Sequence, residues 1–349
     1  MQVLYKKSFW IVLCICFPVA LLAQDLHFSQ FYTMPLMSNP ANTGRFREDF
    51  RLGVINRKQW ASIGSDFSSF AAAADVNFRL PSLKKDKVGV GVVVYHDQMG
   101  EGIIKNNTVY LSGAYHRMLD LQRRHRLSFG FQAGYSQYTL NGETWKFPNQ
   151  YSNFLYEPSL SSNEAFTSTN FGVIDGQIGA IYSFVLSERT EFFTGISLYQ
   201  LRQPKQSIIY TSTESTQGTR YLYTLGLKQK LSDRIVISPQ LMYMRQRKAV
   251  DFNAGAYVTL ALNPSATLGL DLGAFYRNND AFIPLVGIKY KNLDVKLTYD
   301  HTISSFQNIK NATNSNNAKY VGAWEISLIY TGFLPKSHPG QYTIPCGIF

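Results

Sequence analysis

The feature that most constrains the fold of this chain is a strict two-residue alternation of apolar and polar side chains over long segments. In residues 126–138, leucine, phenylalanine, alanine and tyrosine occupy one set of alternate positions, and arginine, serine, glycine and glutamine occupy most of the other set. The same split recurs in residues 266–276, 293–300 and 324–331. Because alternate residues of a strand point to opposite faces, each segment predicts a strand with one apolar and one polar face.

These segments are long for the strands of a soluble β-sandwich. A typical strand of a globular protein has about 5–6 residues, whereas a tilted strand that crosses a membrane needs roughly 9–11. A face of glycine, serine, threonine, glutamine and single charges suits a barrel lumen, and an apolar face with aromatic residues near its ends suits lipid. The sequence therefore predicts an all-β fold, a transmembrane antiparallel β-barrel. A large secreted soluble β protein is the alternative.

About fourteen such strands fit between residues 50 and 333, which we predict to form the barrel. The three longest connections, 141–170, 204–218 and 305–318, follow odd-numbered strands, whereas connections after even-numbered strands are short. Outer-membrane barrels have short periplasmic turns and long outer loops, so this phase places both ends of the barrel on the periplasmic side. The candidate strands are 50–60, 66–80, 87–98, 103–117, 125–140, 171–186, 190–203, 219–230, 234–247, 250–262, 266–277, 281–290, 292–304 and 319–332.

Both ends of the chain lie outside the predicted barrel. Residues 1–23 combine Lys6 and Lys7 with a short apolar run that ends in Ala23. These are the parts of a cleaved secretory signal peptide, and the run is shorter than the roughly 20 residues of a membrane-spanning helix. Residues 334–349 follow the last strand and are predicted to form a periplasmic tail.

Residues 24–49, between the leader and the first strand, do not alternate. Aromatic and methionine side chains make this segment too apolar to hang in water. A short helix is expected to end before Pro40, because the residue that precedes a proline disfavours the helical conformation. We expect the segment to begin on the periplasmic side and to act as a hatch or plug inside or beneath the barrel. It would either fill space or bind a partner.

Several blocks of the chain resemble one known family of outer-membrane proteins. At the N-terminus these are Gln24-Asp25, Phe28-Ser29-Gln30-Phe31 and Asn39-Pro40-Ala41 with Gly44; later blocks are Trp60, residues 87–100, 114–134, 201–208, 285–304 and 324–330, in that order. Together they are similar to the PorP/SprF family of the type IX secretion system in the Bacteroidota. The resemblance covers essentially the whole mature chain. The chain ends in Ile344-Pro345-Cys346-Gly347-Ile348-Phe349, where the family often ends in Ile-Pro-Cys-Pro-Arg-Phe.

The resemblance implies an outer-membrane component of a secretion machine rather than an enzyme. Such a protein would dock or retain a gliding-adhesin-type cargo, by its C-terminal domain, at the cell surface and couple to the periplasmic ring lipoprotein complex. No cofactor is implied. The candidate partner-binding residues are Phe28, Ser29, Gln30, Phe31, Asn39, Pro40, Gly44 and Trp60 around the hatch, Gln203, Pro204 and Lys205 in a loop, and Ile344, Pro345, Cys346 and Phe349 in the tail.

Catalytic and nucleic-acid-binding motifs are weak in this sequence. His301 and Ser305 share a strand face but lie roughly 13 Å apart at about 3.3 Å per residue, and Asp300 points to the other face. The histidines show no metal-ligand spacing. The net charge of +11 comes from scattered lysines and arginines, which favours anionic lipid or surface glycan over nucleic acid. We therefore predict neither an enzyme, nor a metal site, nor a nucleic-acid-binding protein.

The main functional alternative is a fatty-acid-channel-like outer-membrane transporter of small apolar substrates. About fourteen strands, an N-terminal hatch and an Asn-Pro-Ala turn also fit that class of protein. Such a transporter needs a continuous apolar pocket in its lumen. The inward positions predicted here are mostly glycine, serine, glutamine, threonine, lysine and aspartate, which favours a polar or plugged interior.

Overall fold

The computed structural model describes most of the predicted barrel and most of the hatch. The predicted signal peptide, Lys205 and residues 335–349 of the tail lie outside the described residues. The candidate tail residues Ile344, Pro345, Cys346 and Phe349 therefore remain predictions. The described residues are 27–60, 67–79, 86–100, 103–122, 124–141, 146–152, 155–161, 163, 170–204, 216–304 and 322–334.

Fourteen antiparallel strands close into a barrel, which confirms the predicted fold class. The first strand pairs with the last, with Phe50 opposite Gly332, and this pairing closes the ring. Two further short strands, β6 and β7, form a separate ribbon within one long connection. The strands are β1 Phe50–Gln59, β2 Phe67–Phe78, β3 Lys87–Met99, β4 Ile104–Met118, β5 His125–Leu140, β6 Tyr151–Ser152, β7 Leu155–Tyr156, β8 Asn170–Ser187, β9 Thr190–Tyr199, β10 Arg220–Lys230, β11 Ile235–Gln246, β12 Ala249–Ala261, β13 Leu268–Arg277, β14 Ala281–Tyr290, β15 Leu293–Thr302 and β16 Gly322–Gly332.

The three longest connections, 141–169, 200–219 and 303–321, share one end of the barrel, which we call the long-loop end. The opposite end, the short-turn end, carries the two-residue connections 188–189 and 291–292 and the other short turns of its side. The predicted phase of the connections is therefore confirmed.

Most predicted strand limits lie within two residues of the observed ones, and the ends of β5 and β14 coincide with them. The prediction of a strand over 190–203 is wrong at its end, because β9 stops at Tyr199. Gln200 and Gln203 adopt φ angles of 52° and 45°. This left-handed conformation interrupts the extended backbone that a strand requires.

The predicted division into a polar inner face and an apolar outer face is also confirmed. In β15, Lys296 and Asp300 are buried, whereas Leu297 between them is exposed. Trp324 on β16 is exposed and packs against Tyr299 with ring centroids 4.5 Å apart. Exposed apolar side chains on a closed barrel are the surface that lipid requires. Among the described residues, no helix is long and apolar enough to cross a membrane.

The hatch lies inside the barrel, and we use this name for residues 24–49, of which 27–49 are described. It contains one short helix, α1 Pro35–Ser38, followed by a 3₁₀ turn, Pro40–Asn42. Asn39 between them is extended, with φ −164° and ψ 125°. The predicted helix end before Pro40 is thus confirmed, and its cause is the restricted backbone of a pre-proline residue.

The described part of the hatch runs from the long-loop half of the lumen to the short-turn end. Ser29 hydrogen-bonds to Asp300, near the long-loop end of β15, whereas Asp49 donates its N–H to the carbonyl of Gly332 at the opposite end. The sequence predicts that the segment begins on the periplasmic side. The described hatch instead starts high in the lumen, because inward-facing carboxylates there accept its backbone N–H groups.

Candidate functional site

The first turn of the hatch rests on buried charges that five strands of the barrel wall contribute. Each charged residue occupies an inward position near the long-loop end of its strand, and together they link β1 to β12, β13, β15 and β16. Because each would be costly to bury alone, mutual pairing and hydrogen bonding are required to keep them there. The members of this ionic cluster are Arg57, Asp251, Arg277, Asp300 and Glu325.

The two arginines of the ionic cluster each bridge several carboxylates. Asp300 Oδ2 lies 3.1 Å from the guanidinium of Arg57 and 3.1 Å from that of Arg277. Arg57 also pairs with Glu325, whose side chain is completely buried. On the other side, Arg277 Nε lies 3.9 Å from Asp251. The cluster is therefore a continuous charged network across one arc of the lumen.

Ser29 and Gln30 of the hatch complete this network. The backbone N–H groups of Ser29 and Gln30 donate to the two oxygens of Glu325 at 2.7 and 2.9 Å. Ser29 Oγ donates to Asp300 at 2.6 Å, and the side-chain oxygen of Gln30 accepts from Ser327 at 2.7 Å. Hydrogen bonds to charged groups are among the stronger ones in proteins. The hatch therefore supplies partners that the wall charges would otherwise lack.

Aromatic packing holds the next two hatch residues. Phe31 packs edge-on against Phe275 with ring centroids 6.0 Å apart. Tyr32 stacks on Phe275 at 5.0 Å and lies 5.4 Å from Tyr257. Burial raises the pKa of Tyr32 well above its usual value, since a phenolate there would lose its hydration.

The Asn39-Pro40 step sits against glycines of the wall at which an added Cβ would collide with the turn. Asn39 Nδ2 donates to the strand carbonyls of Ala180 and Ile196 at 3.3 and 3.0 Å. A Cβ at Gly130 would stand 2.2 Å from the carbonyl carbon of Pro40, and one at Gly179 would stand 2.0 Å from Asn39 Oδ1. The wall glycines therefore form a seat that is complementary to this turn.

The last part of the hatch is fixed near the short-turn end. Gly44 has φ of +71° and donates its N–H to Asp75 at 2.7 Å. His116 hydrogen-bonds to the carbonyl of Thr43 at 2.8 Å. Arg45 follows Gly44, and burial lowers the pKa of its guanidinium to about 10 despite the nearby carboxylate of Glu191. The hatch is thus anchored along its whole described length.

A cavity of about 340 Å³ lies between the hatch and the long-loop end. Phe28, Phe31, Met34 and Met37 of the hatch line it, together with inward side chains of β3, β4, β5, β8, β9, β10 and β11. We call it the lumen cavity. Its lining includes many aromatic and methionine side chains, so the expectation of a mostly polar lumen does not describe this part of the interior.

The structure brings most of the predicted hatch residues together but leaves two others apart. Phe28, Ser29, Gln30, Phe31, Asn39, Pro40 and Gly44 all lie in the lumen. Trp60 lies at the long-loop end of β1, where its ring meets Phe67 edge-on at 4.9 Å. Gln203 lies in the turn after β9, and Pro204 lines the lumen cavity. The partner-binding role of all these residues stays a prediction.

Sequence reasoning missed the ionic cluster. The sequence pattern draws attention to Asp300 only as a neighbour of His301. It gives no separate signal for Arg57, Arg277 or Glu325. The available signal was the set of isolated charges on the polar faces of the predicted strands. That signal does not say which charges meet, because strands far apart in sequence supply them.

Asp300 and His301 point to opposite faces of β15, as the strand alternation predicts. Asp300 is buried in the lumen, whereas His301 is exposed on the outer face, and Ser305 lies outside the described residues. In the described part of the chain, no group of three or more histidine, cysteine, aspartate and glutamate side chains is arranged to hold a metal ion.

Comparison with known families decides the assignment of the chain. The model of the family described as "Type IX secretion system membrane protein PorP/SprF" matches residues 20–330. The chain belongs to the PorP/SprF family. This PorP/SprF protein is accordingly an outer-membrane β-barrel component of the type IX secretion system. No curated protein matches it in sequence.

Two solved structures share the fold of this PorP/SprF protein. The toluene transporter TbuX of Ralstonia pickettii aligns with a TM-score of 0.50 and 10% identity over 86% of this chain and 94% of the transporter. A FadL homologue of Pseudomonas aeruginosa aligns with a TM-score of 0.52 and 10% identity over the same shares of the two chains. At such low identity the likeness of this PorP/SprF protein to either one is a likeness of fold alone.

Proposed function

We propose that this PorP/SprF protein docks a secreted cargo C-terminal domain at the cell surface and couples it to the periplasmic ring lipoprotein complex. The long-loop end and the upper lumen would receive the cargo, and the short-turn end with the tail would face the ring. The cargo would be of the gliding-adhesin type that the family resemblance implies. The protein would act by binding, with no catalytic step of its own.

The observation that carries this proposal is the path of the hatch. Phe28 lines the lumen cavity below the long-loop end, whereas Asp49 hydrogen-bonds to Gly332 at the short-turn end. One continuous segment therefore connects the two surfaces at which cargo and ring would bind. A cargo that contacts Phe28 or Phe31 would change the packing of a segment whose other end borders the periplasm.

The first experiment changes the cargo-facing side of the hatch. Replacing Phe28 and Phe31 by Asp should abolish cargo display on intact cells, because both rings line the lumen cavity and a charge there would repel an apolar contact. The barrel should remain heat-modifiable on gels, since closed strand pairing carries its stability.

The matched control is the Phe28→Leu, Phe31→Leu double variant, which keeps an apolar surface and should retain display. If the Asp variant is degraded, or runs without heat modifiability, the hatch serves to fill the lumen, and the docking role fails. Deletion of residues 25–44 is a larger change with the same two outcomes. A heat-modifiable barrel without cargo display supports docking, and a degraded protein supports space filling.

A second experiment tests the orientation on which both docking surfaces depend. A cysteine placed at Leu155 or Leu160, in the long connection, should react with a membrane-impermeant thiol reagent on intact cells. A cysteine at Glu188 or Ser232, in short turns, should react only after the outer membrane is opened. Reversed reactivity would overturn the assignment of cargo and ring to their two ends.

A third experiment concerns residues 340–349, which lie outside the described residues. We propose that this apolar end of the tail docks onto the ring complex, with Cys346 packed and not disulfide-bonded. A photoreactive residue in place of Tyr342 should then form adducts with a second protein. Adducts to the barrel alone would refute the proposal.

The transport alternative draws support from one observation, the partly apolar lumen cavity. Below it, however, Leu36, Asn39 and Thr43 contact the wall through Gln132, Ile196 and Ser112. The hatch therefore occupies the lumen between the cavity and the short-turn end. Passage of a substrate would require the hatch to leave these partners, so we favour docking over transport.

A further inference from the structure

The lumen cavity has the dimensions of a small-molecule site. Its volume is about 340 Å³, and ligand pockets in proteins usually measure about 300–1,000 Å³. The floor is the hatch, and strands of the barrel wall form the sides. Such sites are mostly apolar with a few polar groups that orient the ligand, and the lining has both parts.

The apolar part of the lining is unusually rich in methionine. Five of the seven methionines of the chain line the cavity. Methionine is flexible and polarisable, so a surface built from it adapts to ligands of different shape and packs well against aromatic rings. The five are Met34, Met37, Met99, Met242 and Met244.

The polar part contains two buried acceptors that the wall leaves unused. Asp175 is 5% exposed and Gln200 is 8% exposed, and both line the cavity. Within the described ranges, neither Oδ2 of Asp175 nor Oε1 of Gln200 has a hydrogen-bond partner. A buried acceptor without a donor is unfavourable. A ligand that supplies donors would remove this cost.

The two acceptors lie on the same side of the cavity. The N–H of Arg202 donates to Oδ1 of Asp175 at 3.2 Å, and the N–H of Leu201 donates to the carbonyl of Gly176 at 3.3 Å. Hydrogen bonds therefore connect the turn that begins at Gln200 to β8, the strand that carries Asp175. Asp175 and Gln200 therefore belong to adjoining elements of the cavity wall.

The charges of the lining favour a cation over an anion. Two carboxylates, Asp97 and Asp175, line the cavity, against one guanidinium, that of Arg220. The Arg220 guanidinium lies over the ring of Tyr199, 4.2 Å from its centroid. An anionic head placed near Asp175 would be repelled by its carboxylate.

From these observations we infer that the lumen cavity is a binding site for a small primary amine with an apolar body. The body packs on the methionine and aromatic floor, and the ammonium group donates to Asp175 and Gln200. Amine binding does not require a docked cargo, although Phe28 and Phe31 belong both to the cavity lining and to the surface proposed to face the cargo. The ligand reaches it from the long-loop end, above the hatch.

The test uses 2-phenylethylamine with the full mature protein in lipid nanodiscs. Isothermal titration should give saturable binding, in excess over empty nanodiscs. Methylamine, which lacks the apolar body, and 3-phenylpropionate, which carries an anionic head, should bind at least tenfold more weakly. Equal or tighter binding of 3-phenylpropionate, or no saturable binding of 2-phenylethylamine, would overturn the inference.

Variants locate the site. Asp175→Asn should weaken 2-phenylethylamine binding by about tenfold to a hundredfold, the range expected for a hydrogen bond to a charged group. The matched control is Asp294→Asn, a lumen carboxylate beside Lys296 that does not line the cavity; Lys296 keeps Asp271 at 2.9 Å. That variant should bind as the parent does.

If Asp175→Asn does not yield a heat-modifiable barrel, Gln200→Met takes its place, because Gln200 follows the end of β9 and carries no charge. It should weaken binding severalfold. Unchanged affinity in the folded variant, or an equal loss in Asp294→Asn, would show that the amine binds elsewhere and would overturn the assignment.

Discussion

Two arcs of the barrel wall hold the hatch by different physical means. On one arc, β1, β12, β13, β15 and β16 present the ionic cluster, and Glu325 accepts two backbone N–H groups of the hatch. On the other arc, β5, β8 and β9 present glycines and strand carbonyls to Asn39 and Pro40, and the lumen cavity opens above them. The first contact depends on charge and the second on shape.

The difference shows how a narrow segment can be fixed firmly and still leave space for a ligand. Buried ion pairs are directional, and removal of one partner leaves an uncompensated charge. A glycine seat only excludes larger side chains, and a misfit costs less. We call the arc with the ionic cluster the charge arc and the arc with the glycines the shape arc. The charge arc should therefore determine the position of the hatch more strongly than the shape arc does.

The largest expected effect is that of Glu325→Ala. The change leaves two hatch N–H groups without their acceptor and leaves Arg57 without one of its carboxylates, at a cost of about 3–5 kcal/mol for a broken buried pair. Hydrogen exchange at the amides of residues 28–31 should accelerate at least a hundredfold in the purified barrel.

The control for this variant is Glu191→Ala. Glu191 is 41% exposed and lies 3.8 Å from Arg45, and exposed pairs contribute about 0–1 kcal/mol. If Glu325→Ala and Glu191→Ala change the exchange of residues 28–31 equally, charge does not distinguish the two arcs.

A smaller effect is expected from Gly130→Ala on the shape arc. The added Cβ would stand 2.2 Å from the carbonyl carbon of Pro40, and overpacking of this kind costs about 1–3 kcal/mol. Limited proteolysis should cut the hatch faster than in the parent. Gly113→Ala, where a Cβ meets nothing within 4 Å, should leave the cleavage rate unchanged, and equal rates in both variants would contradict the proposed seat.

The smallest effect is expected from Asn39→Ala. The variant loses the neutral hydrogen bonds to the carbonyls of Ala180 and Ile196 and the bond that Asn39 Oδ1 accepts from the N–H of Ala41. Such bonds contribute about 0.5–1.5 kcal/mol each, at the low end where they are partly exposed. Exchange at residues 39–43 should rise about tenfold, less than the effect of Glu325→Ala at residues 28–31. A larger change in Asn39→Ala would reverse the ranking of the two arcs.

Much of the barrel was predictable because strand periodicity is local. The alternation in 281–290 depends on each residue and its neighbours two positions away, so the strand and its lipid face follow from the sequence. The turn at Asn39-Pro40 was predictable for the same reason, since proline restricts the residue before it. The end of β9 was not, because Gln200 adopts its left-handed backbone in a turn that Asp175 holds from another strand.

By itself the sequence determined that the chain forms long two-faced strands, that the segment before them is apolar, and that its blocks resemble one family. Only the tertiary structure decided that Arg57, Arg277, Asp300 and Glu325 meet and that the described hatch begins high in the lumen. It also decided that five methionines line a cavity in which two acceptors have no hydrogen-bond partner among the described residues. The physical reason is separation along the chain. Ser29 and Glu325 are 296 residues apart, and closure of the barrel between β1 and β16 is what places them within hydrogen-bond distance.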